Sequence, residues 1–287
     1  MAAKTIRLIY PQWQGGMNQD YDFGAQMMSH IIPVSNQITT KTILVPIDET
    51  AISDTIIDGQ TTIIKQMKAV TETLLKLQPD RVITIGGDCA VSQAPFDYLH
   101  GRYPKNFGII WLDAHPDVAN QNNSTHVHEM VLANLMHEGA SDFNDLTQNP
   151  VSPTQVFMAG LQTADLRLGK DDLVTTKNLT VATPEQLMVD SDVLLDWLED
   201  NQIEHVAIHF DLDVLTPQDF HNILPAEPAL ALEDFGAAVG GMTLSATLRL
   251  LQDVANAVDL VGLTISEHMP WDAMRLRSGL SKLEIFD

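Results

Sequence analysis

The sequence predicts an α/β domain built on a mainly parallel sheet of eight strands. Three observations carry this expectation. Eight short apolar runs recur along the chain, mostly continuous rather than alternating, as strands buried on both faces require. Amphipathic stretches of helical period lie between many of them. No low-complexity linker and no internal repeat divides the 287 residues, so 1–287 is read as a single domain.

Taken in order, the first run, Ile6–Tyr10, reads as an opening strand, because the N-terminus lacks the apolar core of a secretory leader. Thr42–Pro46 follows, then the amphipathic stretch Thr61–Leu77 and the run Arg81–Ile85. Ser92–Arg102 precedes Gly108–Leu112, and Glu129–Glu138 precedes Gln155–Ala159 and Leu179–Ala182. Thr183-Pro184-Glu185 is a helix-start signal, and Ser191 before Val193 is another, opening Ser191–Asp200. His205–Phe210, Leu244–Ala257 and Leu260–Ile265 complete the series. Asn120–Ser124, Pro150–Pro153 and Pro217–Pro228 read as loops, and the methionines from Met17 to Met28 as packing.

Composition bounds the partners. With 16 Lys and Arg against 38 Asp and Glu, the net charge is −22, which argues against nucleic acid and against an anionic membrane surface. The apolar runs all fall well short of the ~18–20 residues of a membrane span. The single cysteine, Cys89, rules out an intramolecular disulfide and suits a reducing cytosol. A cytoplasmic location is therefore expected.

Four of the predicted strands end in unusual residues. These ends are Gly86-Gly87-Asp88-Cys89, Asp113-Ala114-His115-Pro116-Asp117, Asp211-Leu212-Asp213 and Ser266-Glu267-His268. In open parallel sheets, ligands bind beyond the carboxyl ends of the strands. Neighbouring strands would bring all four ends to one cleft. Crowded carboxylates repel and raise each other's pKa values, a conflict that divalent cations remove. Carboxylates with an imidazole suit Mn²⁺, with Zn²⁺ or Fe²⁺ as other possibilities. Two ions in such sites stand about 3.5–4 Å apart and activate water.

The set Gly-Gly-Asp-Cys89, Trp111-Leu-Asp-Ala-His-Pro-Asp117, His209-Phe-Asp-Leu-Asp-Val-Leu-Thr-Pro217 and Ser266-Glu-His268 resembles the ureohydrolase family of arginases, agmatinases and formimidoylglutamases. Order, spacing and strand context agree over nearly the whole chain. The resemblance implies a three-layer arginase-like domain and a manganese-dependent hydrolase of linear guanidinium or amidine C–N bonds. It also implies a small cationic guanidino or amidino substrate and a homo-oligomer, trimeric or hexameric. Carried over by position, Asp113 and Asp211 would be shared by two Mn²⁺ ions. Asp117, with Cys89, would complete one site, and His115 and Asp213 the other. His128 matches a proton-transfer histidine and Glu267 the glutamate that anchors the cationic group. Ser124 and Asp165 match substrate-contacting positions.

The departures are specific. The family usually carries a metal-ligating histidine where this chain has Cys89. A thiolate there would favour Zn or Fe over Mn, and a protonated buried thiol is the other reading. Either alters the first site. Thr216 replaces an Asp of the family pattern, at little structural consequence. Ala119-Asn120 and Phe220–Pro225 replace segments that recognise an amino-acid substrate, so L-arginine is not assured. Asp88 is read as a loop-capping acceptor, His126 as a loop histidine, His209 as a core or supporting group, and Trp271 as packing near the cleft or an interface. Two competing functions are a metal-poor regulatory or assembly homologue and a related deacetylase-like amide hydrolase. The second lacks the adjacent histidine pair that such enzymes use.

Overall fold

The computed structural model describes residues 3–34, 40–48, 56–166, 168–283 and 285. Eight strands form one sheet: β1 Thr5–Tyr10, β2 Lys41–Leu44, β3 Arg81–Gly86, β4 Phe107–Leu112, β5 Val156–Ala159, β6 Thr180–Ala182, β7 His205–Asp211 and β8 Asp259–Ser266. Their order is β2-β1-β3-β8-β7-β4-β5-β6, and every pairing is parallel. Each of the eight predicted runs forms a strand, with ends shifted by one or two residues. The continuous apolar character follows from this topology: β4 is buried at all six positions.

Among the described residues, ten α-helices accompany the sheet: α1 Asp20–Ile31, α2 Gln60–Leu77, α3 Gln93–Arg102, α4 Val131–Leu135, α5 Ser141–Asn144, α6 Leu173–Thr176, α7 Pro184–Val189, α8 Asp192–Asp200, α9 Leu244–Ala257 and α10 Trp271–Leu280. Ile63, Met67, Val70 and Leu74 of α2 join Leu99 of α3 and Leu132 of α4 in one core, which also takes Ile109, Trp111 and Ala207 from the sheet. Leu194 and Trp197 of α8, Leu250 and Val254 of α9 and Met28 of α1 form the core on the opposite face, with Ile110, Ile208 and Phe210. Alternate residues of β4 and β7 thus face opposite layers, and the sheet is the middle of three.

The helices differ from expectation where the apolar stripe is thin or complete. Helix α1 lies in the stretch read only as methionine packing. It buries Tyr21, Gly24, Ala25 and Met28, and two of these are too small to mark a hydrophobic face. Helix α10 buries none of its residues, so no periodicity announces it. The expected helix Glu129–Glu138 becomes a 3₁₀ turn, Val127–Met130, followed by α4, which is buried all round. The Leu132 and Ala133 N–H groups donate to the Asp117 carbonyl at 3.0 and 3.3 Å, tying α4 to the loop after β4. Pro217–Pro228 holds one 3₁₀ turn, Leu224–Ala226. Trp271 packs beside Trp13, Tyr21 and Met269, and its Nε1 donates to the Ile223 carbonyl at 2.8 Å. No described helix is long and apolar enough to cross a membrane.

Gly24 fixes how closely α1 approaches the segment after β8. A Cβ at position 24 would come within 1.7 Å of the His268 carbonyl oxygen, a backbone atom that cannot yield cheaply. Glycine inside a helix costs about 1 kcal/mol relative to alanine, so here the contact outweighs propensity. Gly24→Ala is expected to destabilise the fold by about 1–3 kcal/mol, the usual overpacking range, in urea or thermal unfolding. A neutral or stabilising effect would show that α1 can move away from His268.

Candidate metal centre

The four strands with unusual ends are neighbours: β3, β8, β7 and β4 occupy the middle of the sheet. Trp111 pairs with His209 and His209 with Thr264, so these carboxyl ends are level. A cleft of about 530 Å³ opens above them, and Cys89, His115, Asp117, His128, Asp211, Asp213 and Glu267 all line it.

The Asp-x-His and Asp-x-Asp spacings are converted into a cluster by local turns. Asp113 Oδ1 accepts the backbone N–H of His115 at 2.7 Å, and Asp211 Oδ1 accepts that of Asp213 at 2.8 Å. Each aspartate caps the residue two positions on and folds the chain back towards it. His115 Nδ1 then lies 3.4 Å from Asp113 Oδ1 and 3.2 Å from Asp213 Oδ2. Asp113 Oδ2 accepts from Trp111 Nε1 at 3.1 Å, and Asp211 Oδ2 from Ser266 Oγ at 3.2 Å.

Cys89 reaches the cluster through a 3₁₀ turn, Cys89–Ser92, that Asp88 caps. Asp88 Oδ1 accepts from Ala90 N at 2.9 Å and its Oδ2 from Gly16 N at 3.2 Å, so it spends its carboxylate on the loop, as expected. Gly87 is needed beside it, because a Cβ there would meet the Gln12 carbonyl at 1.8 Å. The Cys89 Sγ lies 3.0 Å from Asp211 Oδ2 and 3.2 Å from Glu267 Oε1.

Glu267 is held from three directions. Tyr21 donates its hydroxyl to Oε2 at 2.6 Å, and His128 Nδ1 and Cys89 Sγ approach Oε1 at 3.1 and 3.2 Å. Its backbone is left-handed, with φ +62°, and Asp117 has φ +48°. Such conformations cost about 1–3 kcal/mol outside glycine and persist only where surroundings enforce them. Tyr21 and Ser266 are site residues that the sequence reading missed. Tyr21 rides on α1, which no periodicity announced, while Ser266 was visible only as a neighbour of Glu267.

The remaining expected residues are less central. Asp117 is buried and lines the cleft, with its Oδ2 lacking a partner. Ser124 gives its hydroxyl to Glu129, and its neighbours Asn123 and Glu129 line the cleft mouth. The side chain of Asp165 lies outside the described residues. His126 is partly exposed, 3.6 Å from Asp58 and beside His128.

Electrostatics expose the conflict in this cluster. Burial, then the charge of Asp213, lifts the Asp113 carboxyl to about 7. Burial and neighbouring carboxylates push Asp117 and Asp211 well above the usual range, and burial and Glu267 push the Cys89 thiol up. Burial would lower His128, but its hydrogen bond to Glu267 and the charges of Glu267, Asp88 and Asp117 outweigh it and raise it to about 9.

The residues fit divalent ions. Asp113, His115 and Asp213 place one donor atom each within 4.8 Å of one another, and so do Cys89, Asp113, His209 and Asp211. Asp113 is common to both groups. His115 Nε2, Asp117 Oδ2, His209 Nε2 and Asp213 Oδ1 are buried without partners. Carboxylates that repel, orphaned donors and one shared aspartate are together what a pair of cations would satisfy.

Comparisons with known proteins agree in direction. A family model described as the arginase family matches residues 22–274. The arginase of Staphylococcus aureus (strain COL) is 27% identical over 146 residues, 47% of this chain and 46% of that protein. The arginase of Entamoeba histolytica is 24% identical over 161 residues, 53% of this chain and 54% of that protein. The chain spans about half the length of the curated relatives it matches. Among solved structures, Entamoeba histolytica arginase in complex with L-ornithine superposes with a TM-score of 0.78 at 17% identity, covering 94% of this chain and 92% of that one. Proclavaminate amidino hydrolase from Streptomyces clavuligerus gives 0.64 at 17%, covering 94% and 84%. At such identities the structural likeness speaks to the fold.

The raised carboxyls give a signed expectation for the metal-free protein. Unfolded aspartates titrate near 3.9, so between about pH 4 and 7 the folded chain keeps protons that the unfolded chain releases. Stability therefore falls as pH rises through that window. His128, raised to about 9, adds in the same direction, because its contribution is present below the unfolded value and lost as pH passes 9. Thermal unfolding of chelator-treated protein should show Tm dropping from about pH 5 to 8, with divalent ions restoring it and releasing protons to the buffer. A metal-free Tm that rises across this range would show that the carboxylates are not crowded as described.

Proposed function

The chain belongs to the arginase family, and from that premise we propose that it hydrolyses a linear guanidinium or amidine C–N bond with the help of two divalent ions. One observation carries the reading. Two donor groups sharing Asp113 meet at the strand ends, and Glu267 is held beside them in the same cleft. Asp113, His115 and Asp213, with Asp211, would hold one ion. Asp113, Asp211, Asp117 and Cys89 would surround the other. The ions, when bound, supply Lewis acidity and lower the pKa of water so that it can act as nucleophile at neutral pH.

The chain's own residues supply the rest. Six carboxylates line the cleft, Asp117, Glu129, Asp172, Asp211, Asp213 and Glu267, and this favours a cationic substrate. Glu267, oriented by Tyr21, is placed to receive the cationic nitrogens. Water adds to the central carbon, the C–N bond breaks, and the leaving nitrogen takes a proton. His128 holds a proton at its ring nitrogen beside Glu267 and is positioned to pass it on. Ser124 and Asp165 are proposed as substrate contacts; Asn123, beside Ser124, lines the cleft with Leu168 and Phe235.

Manganese suits the all-carboxylate and imidazole group around His115. A single hydrolase domain, a cytoplasmic location and a trimeric or hexameric homo-oligomer belong to the same proposal. A metal-poor regulatory homologue is the second reading, and Cys89 favours it, since a thiol donating to Asp211 holds its place without metal. Retention of Asp113, His115, Asp117, Asp211 and Asp213 weighs against that reading.

The test is a product screen for urea, formamide and ammonia across arginine, agmatine, guanidino acids and formimidoylglutamate, with metal-reconstituted protein. Release from at least one substrate is expected. Asp211→Asn should lower kcat/KM by more than about 100-fold, beyond the loss typical of a supporting residue. Glu267→Gln should raise KM for the cationic substrate. No product from any compound by the metal-loaded protein would overturn the hydrolase reading in favour of the metal-poor one.

A further inference from the structure

His209 is the one residue of the cluster to which neither catalysis nor the expected ligand set gives a task. It lies within β7, two positions before Asp211, and is fully buried. Its ring stacks on Trp111 with centroids 3.8 Å apart and an interplanar angle of 14°. Nδ1 is 2.8 Å from Ser92 Oγ, so one ring nitrogen is anchored. The other, Nε2, has no partner and points at the carboxyl ends of the strands.

The distances from Nε2 decide its task. It stands 4.0 Å from Asp113 Oδ2 and 4.0 Å from Asp211 Oδ2. Both are too long for hydrogen bonds. Both suit donors sharing one ion, since atoms about 2.0–2.3 Å from a common centre lie up to about 4.5 Å apart. The Cys89 Sγ belongs to the same group, 3.0 Å from Asp211 Oδ2. A buried imidazole with one nitrogen fixed by a neighbour and the other free is how proteins present histidine to a metal.

We propose that His209 is a ligand of the first metal site, supplying through Nε2 the imidazole that position 89 lacks, and that by joining Cys89, Asp113, Asp211 and Asp117 there it makes the site selective for Zn²⁺, Fe²⁺ or Co²⁺ over Mn²⁺. The inference rests on the two-ion reading above. Metal entry displaces the Cys89 thiol proton now directed at Asp211, which leaves to solvent, and thiolate and imidazole together shift preference to the softer ions. Ser92 and Trp111 become positioning residues that fix the ring's tautomer and plane. The two sites then differ in kind: the site of Asp113, His115 and Asp213 has only oxygen and nitrogen donors and suits Mn²⁺.

Co²⁺ tests the assignment on the full chain. Metal-free wild-type protein is titrated with Co²⁺ and followed by bound-metal stoichiometry and by the near-ultraviolet thiolate-to-cobalt absorption. Two ions and that absorption are expected. His209→Asn, which keeps a polar group near Ser92, should weaken one site at least tenfold, remove or shift the thiolate absorption and leave the other site unchanged. A variant that binds two ions with wild-type affinity and spectrum would overturn the assignment and leave the two-ion reading standing. Wild-type protein that binds no ion would overturn both. If the variant does not fold, a wild-type crystal grown with Co²⁺ decides. An anomalous peak about 2.0–2.3 Å from His209 Nε2 supports the assignment, and one beyond about 3 Å overturns it.

Discussion

Repulsion among buried carboxylates is the constraint on which the rest of this structure depends. Asp113, Asp117, Asp211, Asp213 and Glu267 are all at least nine-tenths buried and converge on one cleft, with the Cys89 thiol among them. Without cations Asp113, Asp117 and Asp211 hold their protons above the usual carboxylate range, Asp113 up to about 7, while His115 draws Asp213 the other way. Sequestering such charges has no stabilising value unless something of opposite charge joins them. Much of the local architecture can be understood as holding these groups in place for that occupant.

The support is layered. Four adjacent parallel strands bring the ends to one level, and the turns after β4 and β7 use the first aspartate of each motif to orient the second donor. The close packing of α1, permitted by Gly24, delivers Tyr21 to Glu267. Asp88 spends its charge on Ala90 and Gly16, fixing the turn that carries Cys89. The left-handed backbone at Asp117 and Glu267 places strain at two of the cleft carboxylates that come from loops.

The sheet was legible because burial on both faces leaves continuous apolar runs, and all eight became strands. The metal-ligand candidates were legible because carboxylates and an imidazole crowd the ends of neighbouring strands, more charge than the turns they cap require. Helix α1 was not legible: its contact face includes Gly24 and Ala25, which carry little hydrophobic signal. Tyr21 was lost with it. The expected helix from Glu129 was too regular, since α4 is buried all round and its start is tied to the Asp117 carbonyl. His209 shows a further limit. Its place in a strand suggested core or support, and only the unpartnered Nε2 between two carboxylates reveals another capacity.

Asp113 is the residue that both donor groups share, so the two-ion account turns on it most directly. Metal content after dialysis against Mn²⁺ and Zn²⁺ supplied together, read by elemental analysis on wild-type protein and on Asp113→Asn, is the decisive measurement. The account predicts two ions per wild-type chain and the loss of both in the variant. Wild-type protein that emerges with no ion, or an Asp113→Asn variant that keeps both, would contradict it.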